Sequence, residues 1–280
     1  MEPLQSIMLG IIQGLTEFLP VSSSGHLVLL QNLFGIMEPE LLFDISLHIG
    51  TLIAILIVFY QEIRNILQTL LRLPVLIKSS GNLKSLFADN EEIRIAVLII
   101  TGSIPTAILG ILFHQIVDQI FGSVWIVGAM LLVTGTLLWF TRQISTQGRP
   151  LTKVRLRDVL MIGLMQGLAI MPGISRSGST ISIALFLGIN REVAGRYSFL
   201  LSIPAILGAM ILGLDSTTIQ TNIPVKITLL GTVIAAIVGY IALKILLRMV
   251  KKGQLYYFAP YCWLLGAATL IWSLFRVLYL

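Results

Sequence analysis

The sequence predicts an all-α polytopic membrane protein: an inverted-topology tandem repeat with six transmembrane helices and two re-entrant helix hairpins. Three observations carry this. The 280 residues are 56% hydrophobic and 11% charged, with a mean hydropathy of +0.94, whereas soluble domains run near a quarter charged. Apolar segments recur along the whole chain, so it is polytopic rather than anchored by one helix. Two of the apolar regions are broken in the middle by Pro, Ser and Gly, and those two regions resemble each other.

A spanning helix needs about 20 apolar residues. The segments 43–60, 93–113, 121–140, 197–214, 226–247 and 257–279 meet or approach that length. The regions 4–36 and 158–189 each leave two apolar pieces of about a dozen residues, too short to cross alone. Such pieces fit re-entrant hairpins, whose irregular tips survive at membrane depth only when buried in protein or facing water. At a constant offset of 153 residues (8 to 161, for example), Met8, Gly10, Gln13, Gly14, Leu15, Ser22, Ser24, Gly25, Gly35 and Ile36 recur as identical residues. The chain therefore reads as one membrane domain, 1–280, with repeat 1 over 1–141 and repeat 2 over 157–280. Each repeat is one hairpin followed by three spans. Three is odd, so the second repeat starts on the opposite face, and the two tips are expected to meet near the midplane. Transporters with inverted repeats and broken helices form their sites this way.

Charge sets the orientation. Arg64, Arg72, Lys78, Lys84 and Arg94, the basic run 142–157, and Arg191, Arg196, Arg248, Lys251 and Lys252 collect on one side, against Lys226 and Arg276 on the other. The positive-inside rule makes the first side cytoplasmic and puts both termini outside. The first hairpin then enters from the outer face. The formal net charge of +6 reports this topology and not a nucleic-acid partner. No basic, cleavable leader opens the chain, so no signal peptide is expected. The one cysteine, Cys262, lies in an apolar segment, which excludes disulfides within the chain and a cysteine metal site.

The polar residues concentrate at the two tips. PGISRSGST, residues 172–180, presents Ser175, Arg176, Ser177, Gly178, Ser179 and Thr180 just before a half-helix. A helix N-terminus favours an anion, and an arginine fork with neighbouring hydroxyls matches phosphate oxygens. An arginine at membrane depth needs a partner or a ligand. The structural alternative pairs Arg176 with Glu17, and both readings can hold together. TEFLPVSSSGHL, residues 16–27, supplies complementary chemistry. Gln13 and Glu17 share one helical face, where hard oxygen donors suit Mg²⁺ or Ca²⁺. Ser22, Ser23 and Ser24 are candidate nucleophiles, and His26 is a candidate base or nucleophile. The plainer reading of the serines is helix capping. Hydrolysis of a phosphate ester or anhydride carried by a lipid follows from the pairing of the two tips. Asp44 and His48, four apart near the outer end of the first span, read first as interfacial, with the mouth of the site or a metal ligand as the alternative. Tyr256, Tyr257, Phe258 and Trp263 read as an interfacial belt, His114 and Asp118 as solvated loop residues, and Pro105 and Pro204 as residues inside spans that kink them.

QGLTEFLPVSSSGH together with PGISRSGST closely resembles the undecaprenyl-diphosphate phosphatases, the bacitracin-resistance type of integral membrane phosphatase, over essentially the whole chain. The resemblance implies dephosphorylation of undecaprenyl diphosphate to undecaprenyl phosphate and inorganic phosphate. That step recycles the lipid carrier of peptidoglycan synthesis, confers bacitracin resistance, and takes place at a site opening outward from the cell (inner) membrane. By position, Glu17 is the acidic residue tied to a divalent cation, Ser23 the proposed nucleophile and His26 its catalytic partner. Arg176 with Ser175 and Ser177 would hold the diphosphate, and Ser22, Ser24, Gly178 and Thr180 complete the expected substrate contacts. Many members carry a glutamate where this chain has Gln13, which places more weight on Glu17. The implied partners are the polyprenyl diphosphate and membrane lipids, and a homodimer is compatible with the sequence. A lipid-phosphate flippase is the rival; it needs anion donors but no nucleophile and base. The type-2 phosphatidic acid phosphatases share SGH and SR elements, but they require a histidine after the arginine, and the histidines here are 26, 48 and 114.

Overall fold

The computed structural model describes residues 2–34, 41–80, 83–113, 123–144, 147–213 and 223–279. Gly35, Ile36, His114 and Asp118 lie outside the described residues. The described chain is helical, and its one bridge between extended residues joins Arg149 to Ile189.

The first broken region is a helical hairpin: α1 (Pro3–Phe18) and α2 (Ser23–Leu33). Pro3 sits in the first turn of α1, where its missing N–H is not needed, and the Glu2 N–H donates to Gln5 Oε1 at 2.8 Å. Pro20 and the left-handed backbone of Ser22 (φ 69°) turn the chain between the two pieces. α3 (Leu41–Val58) follows and meets α4 (Tyr60–Leu71) at a bend of 79°. Two short helices, α5 (Leu73–Ser80) and α6 (Leu83–Asp89), lead to α7 (Glu91–Phe113) and α8 (Val124–Phe140).

The second half repeats the plan. α9 (Leu156–Leu168) and α10 (Arg176–Phe186) form its hairpin, followed by α11 (Arg191–Gly213), α12 (Val225–Lys251) and α13 (Ala259–Tyr279). Pro105 and Pro204 both sit inside helices, as the sequence predicts. Among the described residues, five helices are long and apolar enough to cross a membrane, and the bent α3–α4 pair makes a sixth if counted as one span. The protein is a multi-pass membrane protein. The predicted span 43–60 runs past the bend, because Phe59 ends the apolar helix and α4 turns aside.

The bundle is apolar outside, and its largely apolar interior also holds many polar side chains. Ile108, Ile237 and Leu264 are 53%, 58% and 74% exposed, while Gln13, Thr180 and Ser202 are fully buried. Each hairpin packs on a span of the other half: α1 lies along α12, and α9 along α7. Small residues permit both approaches. A Cβ added at Gly10 would lie 2.7 Å from the Gly231 carbonyl oxygen, and one at Gly163 would lie 1.8 Å from that of Gly102. Close backbone approach of this kind is how membrane helices pack without a hydrophobic drive between them. The exchange brings the two tips together in the middle of the bundle.

Basic loop residues gather at one end. Arg149 pairs with Asp158 at 2.8 Å and donates to the Leu187 carbonyl at 2.6 Å; Arg191 donates to the Ile144 carbonyl at 2.9 Å; Lys251 meets Glu192 at 3.1 Å. Arg196 ties α11 to Glu62 of α4 and to Glu91 of α7, fixing the bent segment against the bundle.

Candidate active site

The tips interlock through their serines, and the two halves do so alike. Ser22 Oγ accepts the Gly25 N–H at 3.3 Å and lies 3.3 Å from Ser24 Oγ. At the corresponding positions Ser175 Oγ accepts the Gly178 N–H at 3.1 Å and lies 3.2 Å from Ser177 Oγ. Each is an N-terminal cap on its second half-helix. Bonds between the tips then join them. The Gly173 N–H donates to Ser22 Oγ at 3.0 Å, and Ser177 Oγ–H donates to the Phe18 carbonyl at 2.8 Å. Thr134 on α8 braces the second tip, donating to the Gly173 carbonyl at 2.9 Å and accepting the Ser175 N–H at 3.0 Å. Gly173 has φ +99°, and a Cβ there would lie 2.4 Å from the Val127 carbonyl oxygen, so only glycine fits this turn.

Held between the tips is a compact polar cluster. Glu17, in the last turn of α1, is 7% exposed. Its Oε1 pairs with Arg176 Nη2 across the two hairpins. Its Oε2 accepts from Ser23 Oγ at 2.6 Å and from Gln13 Nε2 at 3.1 Å, and His48 Nε2 stands 3.7 Å away. Two atoms in this cluster are buried with no hydrogen-bond partner among the described residues: Arg176 Nη1, a donor, and Gln13 Oε1, an acceptor. Leaving such groups unmet costs on the order of 1–3 kcal/mol each, more for a charged one. An anion meets the first and a cation the second.

Glu17, Gln13, Ser23 and Arg176 are thus brought together as the sequence predicts. Other expected residues are placed differently. Ser22, Ser175, Ser177 and Gly178 are engaged in capping and joining the tips. Thr180 bonds the Arg176 carbonyl at 2.8 Å and the hydroxyl of Ser198 on α11. His26 uses both ring nitrogens elsewhere: Nδ1 lies 2.8 Å from the Ser22 carbonyl and Nε2 lies 2.7 Å from the Tyr261 hydroxyl. His48 reaches the edge of the site, with Nδ1 2.8 Å from the Asp44 carbonyl. Gln31 Nε2 donates to both Asp44 carboxylate oxygens, at 2.9 and 3.2 Å. Tyr261 carries no motif that would have pointed to it.

Residues 6–268 match the family described as bacitracin resistance protein BacA. The chain belongs to that family. Among its relatives, the undecaprenyl-diphosphatase of Desulfatibacillum aliphaticivorans is 53% identical over 269 residues, covering 96% of this chain and 98% of the relative. That of Desulforapulum autotrophicum is 51% identical over 271 residues, covering 97% and 98%. The undecaprenyl-diphosphatase of Methanosphaera stadtmanae is 43% identical over 272 residues, covering 96% and 98%. The match to the BacA family takes in both hairpins from residue 6 onward and the first half of the last helix, so Tyr261 falls within it as Glu17 and Arg176 do.

Proposed function

We infer that the protein is an undecaprenyl-diphosphatase, hydrolysing undecaprenyl diphosphate to undecaprenyl phosphate and inorganic phosphate. Besides membership of the family, the observation that carries the inference is Arg176. One guanidinium nitrogen holds Glu17, and the other is buried and unpaired at the N-terminus of α10. A terminal phosphate takes up that donor in the fork geometry that guanidinium provides.

The chemistry follows from the neighbours. Ser23 Oγ–H already points at the Glu17 carboxylate. While Arg176 holds Glu17, that carboxylate is neutralised. A phosphate bound at Nη1 draws on the same guanidinium charge, so Arg176 holds the carboxylate less tightly and Glu17 accepts the Ser23 proton. Ser23 Oγ then bonds the terminal phosphorus as the bridging P–O bond breaks, and undecaprenyl phosphate leaves. Water replaces Ser23 on phosphorus, inorganic phosphate departs, and the proton returns to Ser23. Phosphoryl transfer of this kind rests mainly on positioning and charge stabilisation. Ser23 is favoured over His26 as nucleophile because it lies against the base, whereas His26 faces Tyr261.

A divalent cation, Mg²⁺ or Ca²⁺, is part of the proposal. Among the described residues no group of three or more His, Cys, Asp or Glu side chains is placed to hold a metal ion. The oxygen donors at hand are Glu17, the unpaired Gln13 Oε1 and Ser23, which fit a hard cation. Bound there, a cation would offset phosphate charge. A single carboxylate makes a weak site. Gln13→Glu is therefore expected to lower the Mg²⁺ concentration for half-maximal activity by about tenfold, and an unchanged Mg²⁺ curve would remove Gln13 from the cation site.

The charge distribution supports placing the protein in the cell (inner) membrane, with the basic end cytoplasmic, both termini outside and the site opening outward. The deciding experiment is phosphate release from farnesyl or undecaprenyl diphosphate by purified protein in detergent, with Mg²⁺, Ca²⁺ or EDTA. Cation-dependent release, reduced about 10²–10⁴-fold in Glu17→Gln and Ser23→Ala, is expected. A folded wild type that binds the lipid diphosphate and releases nothing would sink the phosphatase and favour the flippase.

A further inference from the structure

The last helix touches the first tip at two consecutive residues. Tyr261 OH lies 2.7 Å from His26 Nε2, with the two rings stacked 5.8 Å apart and only 7° from parallel. Cys262 is buried beside it and contacts the Pro20 carbonyl at 3.6 Å. These contacts settle how the imidazole is protonated. A carbonyl oxygen only accepts, so His26 Nδ1 must carry its hydrogen toward Ser22 O. Neutral imidazole has one N–H, so Nε2 presents its lone pair, and the Tyr261 O–H donates to it. His26 is thus held as a single tautomer, with Nε2 free of a proton and aimed along a fixed direction. Stacking fixes the ring plane as well.

The two residues differ in surroundings. His26 is 8% exposed, whereas Tyr261 is 46% exposed on the outside of the bundle. Tyr261 therefore stands between the outside of the bundle and His26. We propose that Tyr261 is a positioning residue for the diphosphatase: its hydroxyl keeps His26 in the Nδ1–H tautomer with Nε2 unprotonated, and it gives up that bond when the diphosphate headgroup arrives, leaving Nε2 to take a proton from the water that replaces Ser23 on phosphorus. The proposal rests on the phosphatase reading and adds a residue outside both tip motifs. A packing role alone would need the ring and not the hydroxyl.

The test uses full-length protein in detergent and compares wild type with Tyr261→Phe, with 3-fluorotyrosine placed at 261 (which keeps a hydroxyl), and with Tyr257→Phe as an exposed control. Two readouts are taken: kcat and KM for farnesyl diphosphate, and the ring ¹⁵N signals of labelled histidine, with the His26 signal assigned by its absence in His26→Gln. Loss of one orienting hydrogen bond should cost less than the roughly 10²–10⁴-fold typical of removing a proton-transfer group. Tyr261→Phe is expected to lower kcat about tenfold with KM changed less than about twofold, and to shift the His26 Nε2 signal. Fluorotyrosine should restore both, and Tyr257→Phe should change neither. A wild-type kcat in Tyr261→Phe, or an unmoved His26 signal, overturns the proposal. The nitrogen signal needs no turnover, so it still decides the Tyr261–His26 contact if wild type proves inactive, in which case the phosphatase reading fails separately.

Discussion

Arg176→Ala is expected to lower kcat/KM for a polyprenyl diphosphate by about 10³–10⁵-fold, the range seen where an arginine stabilises charge in phosphoryl transfer. The effect is large because one guanidinium serves two partners, Glu17 through Nη2 and the incoming phosphate through the unpaired Nη1. Arg176→Lys keeps the charge but loses the fork, so it should recover folding better than activity. Stability separates the two roles. Removing Arg176 alone leaves the Glu17 carboxylate buried without its counter-ion, at a cost of about 3–5 kcal/mol. Adding Glu17→Gln in the same molecule removes that stranded charge. The double variant should therefore melt higher than Arg176→Ala while remaining inactive. If it melts no higher, the two side chains are not coupled as the structure places them. If Arg176→Ala keeps near wild-type turnover, Arg176 does not hold the phosphate.

Why Glu17 and Arg176 were legible in the sequence has a physical basis. Ionisable groups at membrane depth are expensive, so each had to find a partner, and the repeat placed their tips opposite each other. The internal breaks, the offset of 153 residues and the in-helix prolines were legible for the same reason: they are interruptions of an otherwise uniform apolar pattern. The fates of the serines were not. A serine that caps a helix and a serine that attacks phosphorus look alike in sequence, and only the left-handed turn at Ser22 shows that its hydroxyl faces the second tip while Ser23 faces Glu17. Thr180 reads as a phosphate ligand from its place in the motif, yet it lies one helical turn from Arg176 and bonds back to that residue's carbonyl. The bend after α3 was also invisible, because apolar residues continue into α4 on one face only. His48 reaches the edge of the site, the alternative that its place beside Asp44 offered; Tyr261 reaches it from outside every motif, and a pairing 235 residues apart leaves no local pattern.

The site also depends on how closely the hairpins seat, which makes Gly163→Ala the structural substitution with the largest expected effect. A Cβ at Gly163 would lie 1.8 Å from the Gly102 carbonyl oxygen, a backbone atom that no side-chain rotation can move aside. The same contact is tied by Thr106, whose hydroxyl donates to the Gly163 carbonyl at 2.8 Å. α9 must therefore separate from α7 by more than about 1 Å, and overpacking of this kind costs about 1–3 kcal/mol. The displacement passes along α9 and through the short turn into Ser175 and Arg176, moving the guanidinium relative to Glu17. A misplacement of about 1 Å can cost about 10²-fold in rate, so Gly163→Ala is expected to lower both the melting temperature and kcat, the latter about a hundredfold. Gly10, its repeat-related partner, offers a graded comparison, since its Cβ would stand 2.7 Å from the Gly231 carbonyl oxygen, and Gly208 has nothing within 4 Å. Losses should follow the order Gly163→Ala, Gly10→Ala, Gly208→Ala, with the last indistinguishable from wild type. Equal melting and turnover in Gly163→Ala and Gly208→Ala would show that α9 seats on α7 less closely than the structure places it, and that the Arg176–Glu17 geometry does not depend on that approach.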